Sequence, residues 1–211
     1  MIFQQIKSGG NKNFAYLIAG RHTAKGALVD PAPDPRRVLD AIKHRNLEIA
    51  WIINTHSHSD HAGGNDYFRK EGKNNQPVFI NCPKGQKIRD GQVIDIGGVS
   101  LELIATPGHT PDSICIKAGD KLMTGDTLFV GKIGGTWTPE DAKMQWESLQ
   151  KIASLPPHIE VWPGHDCGIK PNSTIGYEIQ ENPFFHRLSS YHEFLWLKQN
   201  WAQYKREHGI Q

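Results

Sequence analysis

Cysteine is scarce in this chain: only Cys82, Cys115 and Cys167 occur in 211 residues. They are isolated and odd in number, which excludes a disulfide framework and suits a reducing compartment, with the thiols read as buried or idle. Long apolar runs are missing as well. No stretch approaches the roughly 20 residues a membrane helix needs, and Met1 to Lys7 lacks a charged start followed by a long apolar core, so neither membrane residence nor a secretory signal is expected and the cytoplasm is the expected location. Net charge is nearly absent, at +2 with His neutral. A balance so small and dispersed gives no argument for nucleic acid or an anionic membrane, although near-neutrality does not exclude a local patch. Internal repeats and low-complexity tracts are absent too. A chain of 211 residues suits one domain and would cramp a second; the expectation is a catalytic domain over residues 1–170, with residues 171–211 as a short helical extension of it.

What the chain does have is histidine in the wrong density for a surface loop. Thr55-His56-Ser57-His58-Ser59-Asp60-His61 follows the apolar segment Ile49 to Ile53 directly. Three imidazoles and a carboxylate packed this closely are costly to bury without a metal, and a nitrogen and oxygen donor set without thiolate points to a catalytic rather than a structural ion. In extended chain His56 and His58 share a side and can face one ion, while Asp60 and His61 fall where the chain turns and can reach a second.

Three further candidates follow strand-like runs. Val99 to Ile104 alternates and breaks at Thr106-Pro107-Gly108-His109; Lys121 to Thr124 leads to Gly125-Asp126; Ile159 to Trp162 leads to Pro163-Gly164-His165. Each candidate ligand sits just past a strand end, where loops supply chemistry and a packed sheet supplies rigidity. Glycine and proline beside them are the residues a sharp strand-to-loop turn needs. Alone, His109, His165 or Asp126 reads as an ordinary side chain; with the first motif they read as a set.

Other signals are consistent with strands alternating with helices. Asp34-Pro35 is an N-cap with proline at the first helical position, followed by Val38, Leu39 and Ile42 at helical spacing. Thr138-Pro139-Glu140-Asp141 forms a capping box ahead of Leu149, Ile152 and Leu155. Val78 to Ile80 and Val93-Ile94 read as short strands, and Ser113 to Lys117 with Gly119-Asp120 as a hairpin entry. From Ser189 one amphipathic helix is expected to about Glu207, stopped by Gly209. Phe184, Phe185 and Trp196 read first as core, with a sharper alternative in which they roof the site or form a dimer contact.

The order His56-x-His58-x-Asp60-His61, Gly108-His109, Gly125-Asp126, Gly164-His165 resembles the metallo-β-lactamase fold superfamily, with every ligand position occupied. Thr124 to Val130 and Trp162 to Asp166 are more similar to its glyoxalase II and persulfide dioxygenase branch than to the antibiotic-degrading enzymes. Val29-Asp30-Pro31 after Phe14 to Ile18 also fits that branch, where two strands precede the first metal loop. The resemblance covers nearly the whole chain. It implies an α+β, four-layer αββα sandwich, two mixed β-sheets flanked by helices, and two divalent ions, zinc first with iron or manganese as alternatives. It further implies that His56, His58 and His109 hold the first ion, that Asp60, His61 and His165 hold the second, and that Asp126 bridges them. A bridging water would then lose its proton near neutral pH and attack a carbonyl polarised by one ion, with Asp60 orienting it, so Asp60 and Asp126 are the expected catalytic residues.

The implied activity is hydrolysis of a small-molecule thioester or glutathione-derived substrate by a monomer or homodimer of hydroxyacylglutathione hydrolase type. One departure bears on substrate. Where glyoxalase II carries a basic residue for glutathione and, two positions on, an aromatic hydroxyl, this chain reads Gly135 and Trp137, and only Lys132 in that loop could supply a cation. The alternative reading is a persulfide dioxygenase with a single iron on His56, His109 and Asp126, a two-His, one-carboxylate set. A non-enzymatic or nucleic-acid-binding relative would show lost ligands or a basic exosite, and neither is visible.

Overall fold

The computed structural model describes residues 1–71, 77–81 and 85–210. Its strands and helices run β1 (Ile2–Gly9), β2 (Asn13–Ala19), β3 (Lys25–Val29), α1 (Pro35–Ile42), β4 (Glu48–Ile53), α2 (Ser59–Ala62), α3 (Asn65–Glu71), β5 (Val78–Ile80), β6 (Gln92–Asp95), β7 (Ser100–Ala105), β8 (Ile114–Ala118) and β9 (Lys121–Gly125). They continue through β10 (Leu128–Phe129), β11 (Lys132–Ile133), α4 (Pro139–Ala153), β12 (Glu160–Pro163), β13 (Ser173–Thr174), α5 (Ile175–Glu181), α6 (Tyr191–Gln199) and α7 (Trp201–His208).

Alternation along β2 explains the layering. Phe14, Tyr16 and Ile18 point to one face and Ala15 and Leu17 to the other, and all five are buried, so this strand lies inside a sheet covered on both sides. The five-stranded sheet has the order β1-β2-β3-β4-β5, and a six-stranded sheet runs β13-β12-β9-β8-β7-β6. Both are mixed: β3, β4 and β5 pair in parallel within the first, and β12 pairs in parallel with β9 in the second, the other pairings being antiparallel.

Between the sheets, Phe14, Tyr16, Val29 and Ile53 meet Leu101, Leu103, Ile116 and Met123. Outside the first sheet, Leu17, Leu28 and Ile52 pack under Val38 and Ile42 of α1 and Phe68 of α3. Outside the second, Ile104, Leu122 and Val161 pack under Leu149 and Ile152 of α4, and under Phe184, Phe194 and Leu197. This is the four-layer α+β sandwich expected, each buried Leu, Ile or Phe contributing about 1.5–3 kcal/mol.

The helix starts follow their sequence signals. Asp34 accepts from the Arg37 amide, and Thr138 and Asp141 cap each other reciprocally ahead of α4. Leu149 and Ile152 are buried, while Leu155 packs on the same core from beyond the helix end. The strands expected at residues 78–80 and 93–94 and the hairpin at 113–120 form as β5, β6 and β8–β9.

Several expectations are corrected. Four strands, not two, precede the first histidine loop; β1 is an edge strand whose Gln4 and Gln5 interrupt the apolar pattern, yet Phe3 packs on the inter-sheet core. The tail helix is two helices. Asn200 leaves helical geometry at φ −107° and ψ 13°, and its side-chain amide donates to the Trp196 carbonyl, so the chain bends there; Gly209 does stop the second helix in the left-handed region. Phe184 and Phe185 are core, whereas Trp196 is 49 % exposed. Cys115 is buried and Cys167 half-buried, both free thiols, and Cys82 lies outside the described residues. Among those residues no helix is long and apolar enough to cross a membrane.

Thr138→Ala removes the reciprocal cap of α4 and is expected to lower the unfolding free energy by about 1 kcal/mol. The readout is a lower urea midpoint at unchanged m value; an unmoved midpoint would show that the cap contributes nothing.

Candidate metal centre

Each ligand expected from the sequence emerges at the end of a strand on the same rim of the sandwich. His56 follows β4, His58 caps α2, and Asp60 and His61 lie in that helix. His109 follows β7, Asp126 follows β9 and His165 follows β12. Two glycines make the closeness possible. Gly125 has φ +50°, and a Cβ there would lie 2.4 Å from Thr55 Oγ1; a Cβ on Gly164 would lie 2.6 Å from Asp126 Oδ1.

All seven side chains come together. His56 Nε2 and His109 Nε2 each approach His58 Nδ1 to 3.1 Å. On the other side His61 Nε2 lies 3.2 Å from His165 Nε2, and Asp60 Oδ2 lies 3.7 Å and 3.5 Å from those same two nitrogens. Asp126 sits between the halves: Oδ1 is 3.3 Å from His61 Nε2 and 3.4 Å from His165 Nε2, and Oδ2 is 3.5 Å from His109 Nε2. Donor atoms of His56, His58 and His109 fall within 4.8 Å of one another, as do those of Asp60, His61 and His165, and those of His56, His61 and Asp126.

The outward ring nitrogens decide which atoms face inward. His109 Nδ1 lies 2.8 Å from the Gly135 carbonyl and His165 Nδ1 2.8 Å from the Asn11 carbonyl. A carbonyl only accepts, so both Nδ1 atoms carry the proton and both Nε2 atoms turn a lone pair to the centre. His61 Nδ1 is likewise fixed, 2.9 Å from Asp30 Oδ2. Asp126 Oδ1 is buried and, despite its ion-pair distances, has no hydrogen bond of acceptable geometry. Converging lone pairs and an orphaned carboxylate oxygen repel one another unless a cation lies among them. The residues therefore fit divalent ions, and the two triads flanking Asp126 have the make of a binuclear site.

Electrostatics follow the same division. Burial, aided by the charge of His61, holds His56 down to about 4, and burial also lowers His109 against the pull of Asp126. Burial opposes charge on His61 and His165 too, but Asp30 and Asp126 raise His61 well above the usual value and Asp126 raises His165. Asp126, which burial would push up, is held well below the carboxylate range by His165 and His61. Asp60 is lowered, against burial, by the Asn13 amide and His61.

Asp30, noted in the sequence within Val29-Asp30-Pro31 but given no role there, supports the cluster. It is buried at the end of β3 with φ +48°. Its Oδ1 accepts from the Thr55 amide at 2.8 Å, and its Oδ2 from the Thr55 hydroxyl at 2.6 Å and from His61. One carboxylate thus ties the first histidine loop to β3 and orients His61. Asn13 does the same for Asp60, donating to Oδ2 at 3.0 Å and to the Asp60 carbonyl at 3.2 Å. Acidity after an apolar run at Val29-Asp30 was the only available signal. Lys132, the cation expected to be within reach, is half-buried in β11, and burial lowers its pKa.

Residues 9–81 and 82–165 match the model of the metallo-beta-lactamase superfamily, and the chain belongs to that superfamily. Within it, the chain is 31 % identical over 184 residues to BaeB of Bacillus velezensis, described as a probable polyketide biosynthesis zinc-dependent hydrolase, covering 82 % of this chain and 81 % of that one. It is 32 % identical over 195 residues to glo2 of Schizosaccharomyces pombe, a probable hydroxyacylglutathione hydrolase, covering 85 % and 73 %. Among solved structures it resembles ETHE1 from Myxococcus xanthus with a TM-score of 0.83 at 30 % identity, over 95 % and 91 % of the two chains.

Asp30→Asn keeps the shape and removes the charge that fixes the His61 tautomer. Competition against a chelator is expected to show metal binding weakened about 10–100-fold; unchanged affinity would remove Asp30 from the centre's support.

Proposed function

We propose that the protein is a two-metal hydrolase of small-molecule thioesters, of hydroxyacylglutathione hydrolase type. His56, His58 and His109 would hold one ion, Asp60, His61 and His165 the other, and Asp126 would reach both. The observation that carries the reading is the pair of three-ligand clusters flanking one buried carboxylate. Zinc is the first expectation, supported by the relative described as a zinc-dependent hydrolase.

Bound ions would supply a nucleophilic water at neutral pH and polarise a thioester carbonyl. The chain's own groups do the rest. Asp60, 41 % exposed at its side chain, is held by Asn13 with Oδ2 beside His61 and His165 Nε2, where its carboxylate would accept a hydrogen bond from the attacking water and orient it. Asp126, kept ionised by His61 and His165, balances the positive charge. The leaving thiol has an ordinary pKa near 8.5 and departs as thiolate without a strong acid, and no serine or cysteine nucleophile is required: Cys115 is buried with its pKa pushed up to about 12 by burial. We also assign residues 171–211 to the same folding unit as the catalytic residues 1–170, because Phe194 and Leu197 share a core with Ile104 and Val161.

Likeness to ETHE1 favours a second reading, a persulfide dioxygenase using one iron on His56, His109 and Asp126. Metal counting separates the two. Close to two ions per chain and turnover of glutathione or other thioesters support the hydrolase; close to one iron, with oxygen consumed in the presence of a persulfide, supports the other.

Asp126→Ala removes the carboxylate placed between the clusters. It is expected to abolish detectable thioester hydrolysis and to cut bound metal from about two ions per chain to one or fewer, by elemental analysis. Full activity in that variant would overturn the two-metal assignment.

A further inference from the structure

Behind the loop that follows β11, between it and helices α6 and α7, lies a cavity of about 390 Å3, within the roughly 300–1,000 Å3 range of small-molecule sites. Most of its wall is apolar, including Ile133, Phe184, Leu195 and Trp201. At its rim Trp137 leaves 83 % of its surface in water, an expensive position for a side chain that covers nothing.

One charged group lines this cavity, and it is Lys198 of α6. Its Nζ donates to the Gly134 carbonyl at 3.2 Å and to Gln145 Oε1. Both acceptors are neutral, and among the described residues no carboxylate pairs with Lys198; burial alone draws its pKa down to about 8. An ammonium has three donors, so two neutral acceptors leave one donor over, and among the described residues its charge meets no anion, just the face of the Phe194 ring at 5.8 Å. Such a group is retained where an anion arrives to meet it. The loop itself offers no competing charge at the cavity mouth, since positions 135 and 137 are glycine and tryptophan. Gly134 and Gly135 line the cavity, and the Gly135 carbonyl accepts from His109 Nδ1 of the candidate metal cluster.

We propose that this cavity holds an apolar, carboxylate-bearing arm of the substrate, with the Lys198 ammonium as the counter-ion of the carboxylate and Trp137 and Trp201 against its apolar body. Calling the ligand a substrate arm rests on the hydrolase reading; the binding itself does not.

The test titrates the metal-loaded protein with 4-phenylbutyrate and 4-phenylbutanol, following tryptophan fluorescence. Wild type is expected to bind the carboxylate about tenfold tighter than the alcohol. Lys198→Met, with metal content unchanged by elemental analysis, is expected to bring the two affinities together, and Lys198→Arg to keep them apart. Trp137→Ala, at an exposed position and so without effect on folding, is expected to weaken both ligands at least about fivefold. Equal affinities in wild type overturn the proposal. So does a carboxylate preference that survives Lys198→Met, because the metals would then be holding the acid. In a second arm, a thioester pair differing only in a terminal carboxylate is compared by kcat/KM; the acid is preferred about tenfold by wild type, and the preference is lost in Lys198→Met. If wild type cleaves no thioester, the hydrolase reading fails while the fluorescence result still decides the site.

Discussion

Everything around the centre is arranged to keep one carboxylate ionised where little water reaches it. Asp126 is nearly buried among imidazoles, His61 and His165 on one oxygen and His109 on the other, with the like charge of Asp60 close by. Desolvation works against that charge, and the histidines answer it only in part, because His56 and His109 are themselves held down by burial. A cation among these groups resolves both problems at once: it satisfies the orphaned Oδ1 and takes up the lone pairs that His109 and His165 turn inward. The site is thus built for a ligand that the polypeptide alone does not supply, and its support must be rigid, since a ligand displaced by a fraction of an ångström leaves like groups facing each other.

Rigidity comes from two sources. The sheets hold the strand ends, and a second ring of hydrogen bonds holds the ligands on them: Asp30 on His61 and Thr55, Asn13 on Asp60, the Gly135 carbonyl on His109 and the Asn11 carbonyl on His165. Two of those four partners are backbone carbonyls of loops, so the loops must be held in turn. For the loop behind Asp126 this falls to the C-terminal segment together with Gln145 of α4. Glu178 accepts from the Gly131 amide at 2.9 Å, Asn182 donates to the Lys132 carbonyl at 3.3 Å, and Lys198 and Gln145 both donate to the Gly134 carbonyl. A segment with no ligand of its own thereby fixes the tautomer of His109 at one remove.

This division explains what could be read from the chain. The convergence of the four candidate-ligand motifs was legible because a side chain past a strand end leaves a local trace: an apolar run, a glycine or proline, then histidine or aspartate. Helices α1 and α4 were legible because Asp34 and Thr138 cap them through neighbours three residues away. Asp30 was not, because its role depends on a left-handed backbone and on partners 24 to 31 residues distant, and an aspartate after a strand is common without either. Asn13 fails for the same reason, reaching Asp60 across 47 residues. The break at Asn200 was masked by apolar spacing that continues through Trp201 and Tyr204, which pack on the same core as α6. Phe184 and Phe185 follow Pro183 in a stretch without periodicity, so only their burial distinguishes a core pair from a roof.

Ligand type also limits how much of the activity the centre alone can determine. His56, His109 and Asp126 belong to the two-ion and the one-iron readings alike, and nitrogen and oxygen donors accept zinc, iron or manganese according to geometry and supply. Discrimination between substrates must therefore come from surfaces the reacting atoms do not touch. In this chain the loop beside the centre carries no side-chain charge at Gly135 and Trp137, and the half-buried Lys198 of α6 donates to its Gly134 carbonyl. The next carbonyl, that of Gly135, accepts from His109, so on the proposed reading whatever neutralises the Lys198 ammonium would also change the electrostatic load on the peptide that orients a candidate metal ligand.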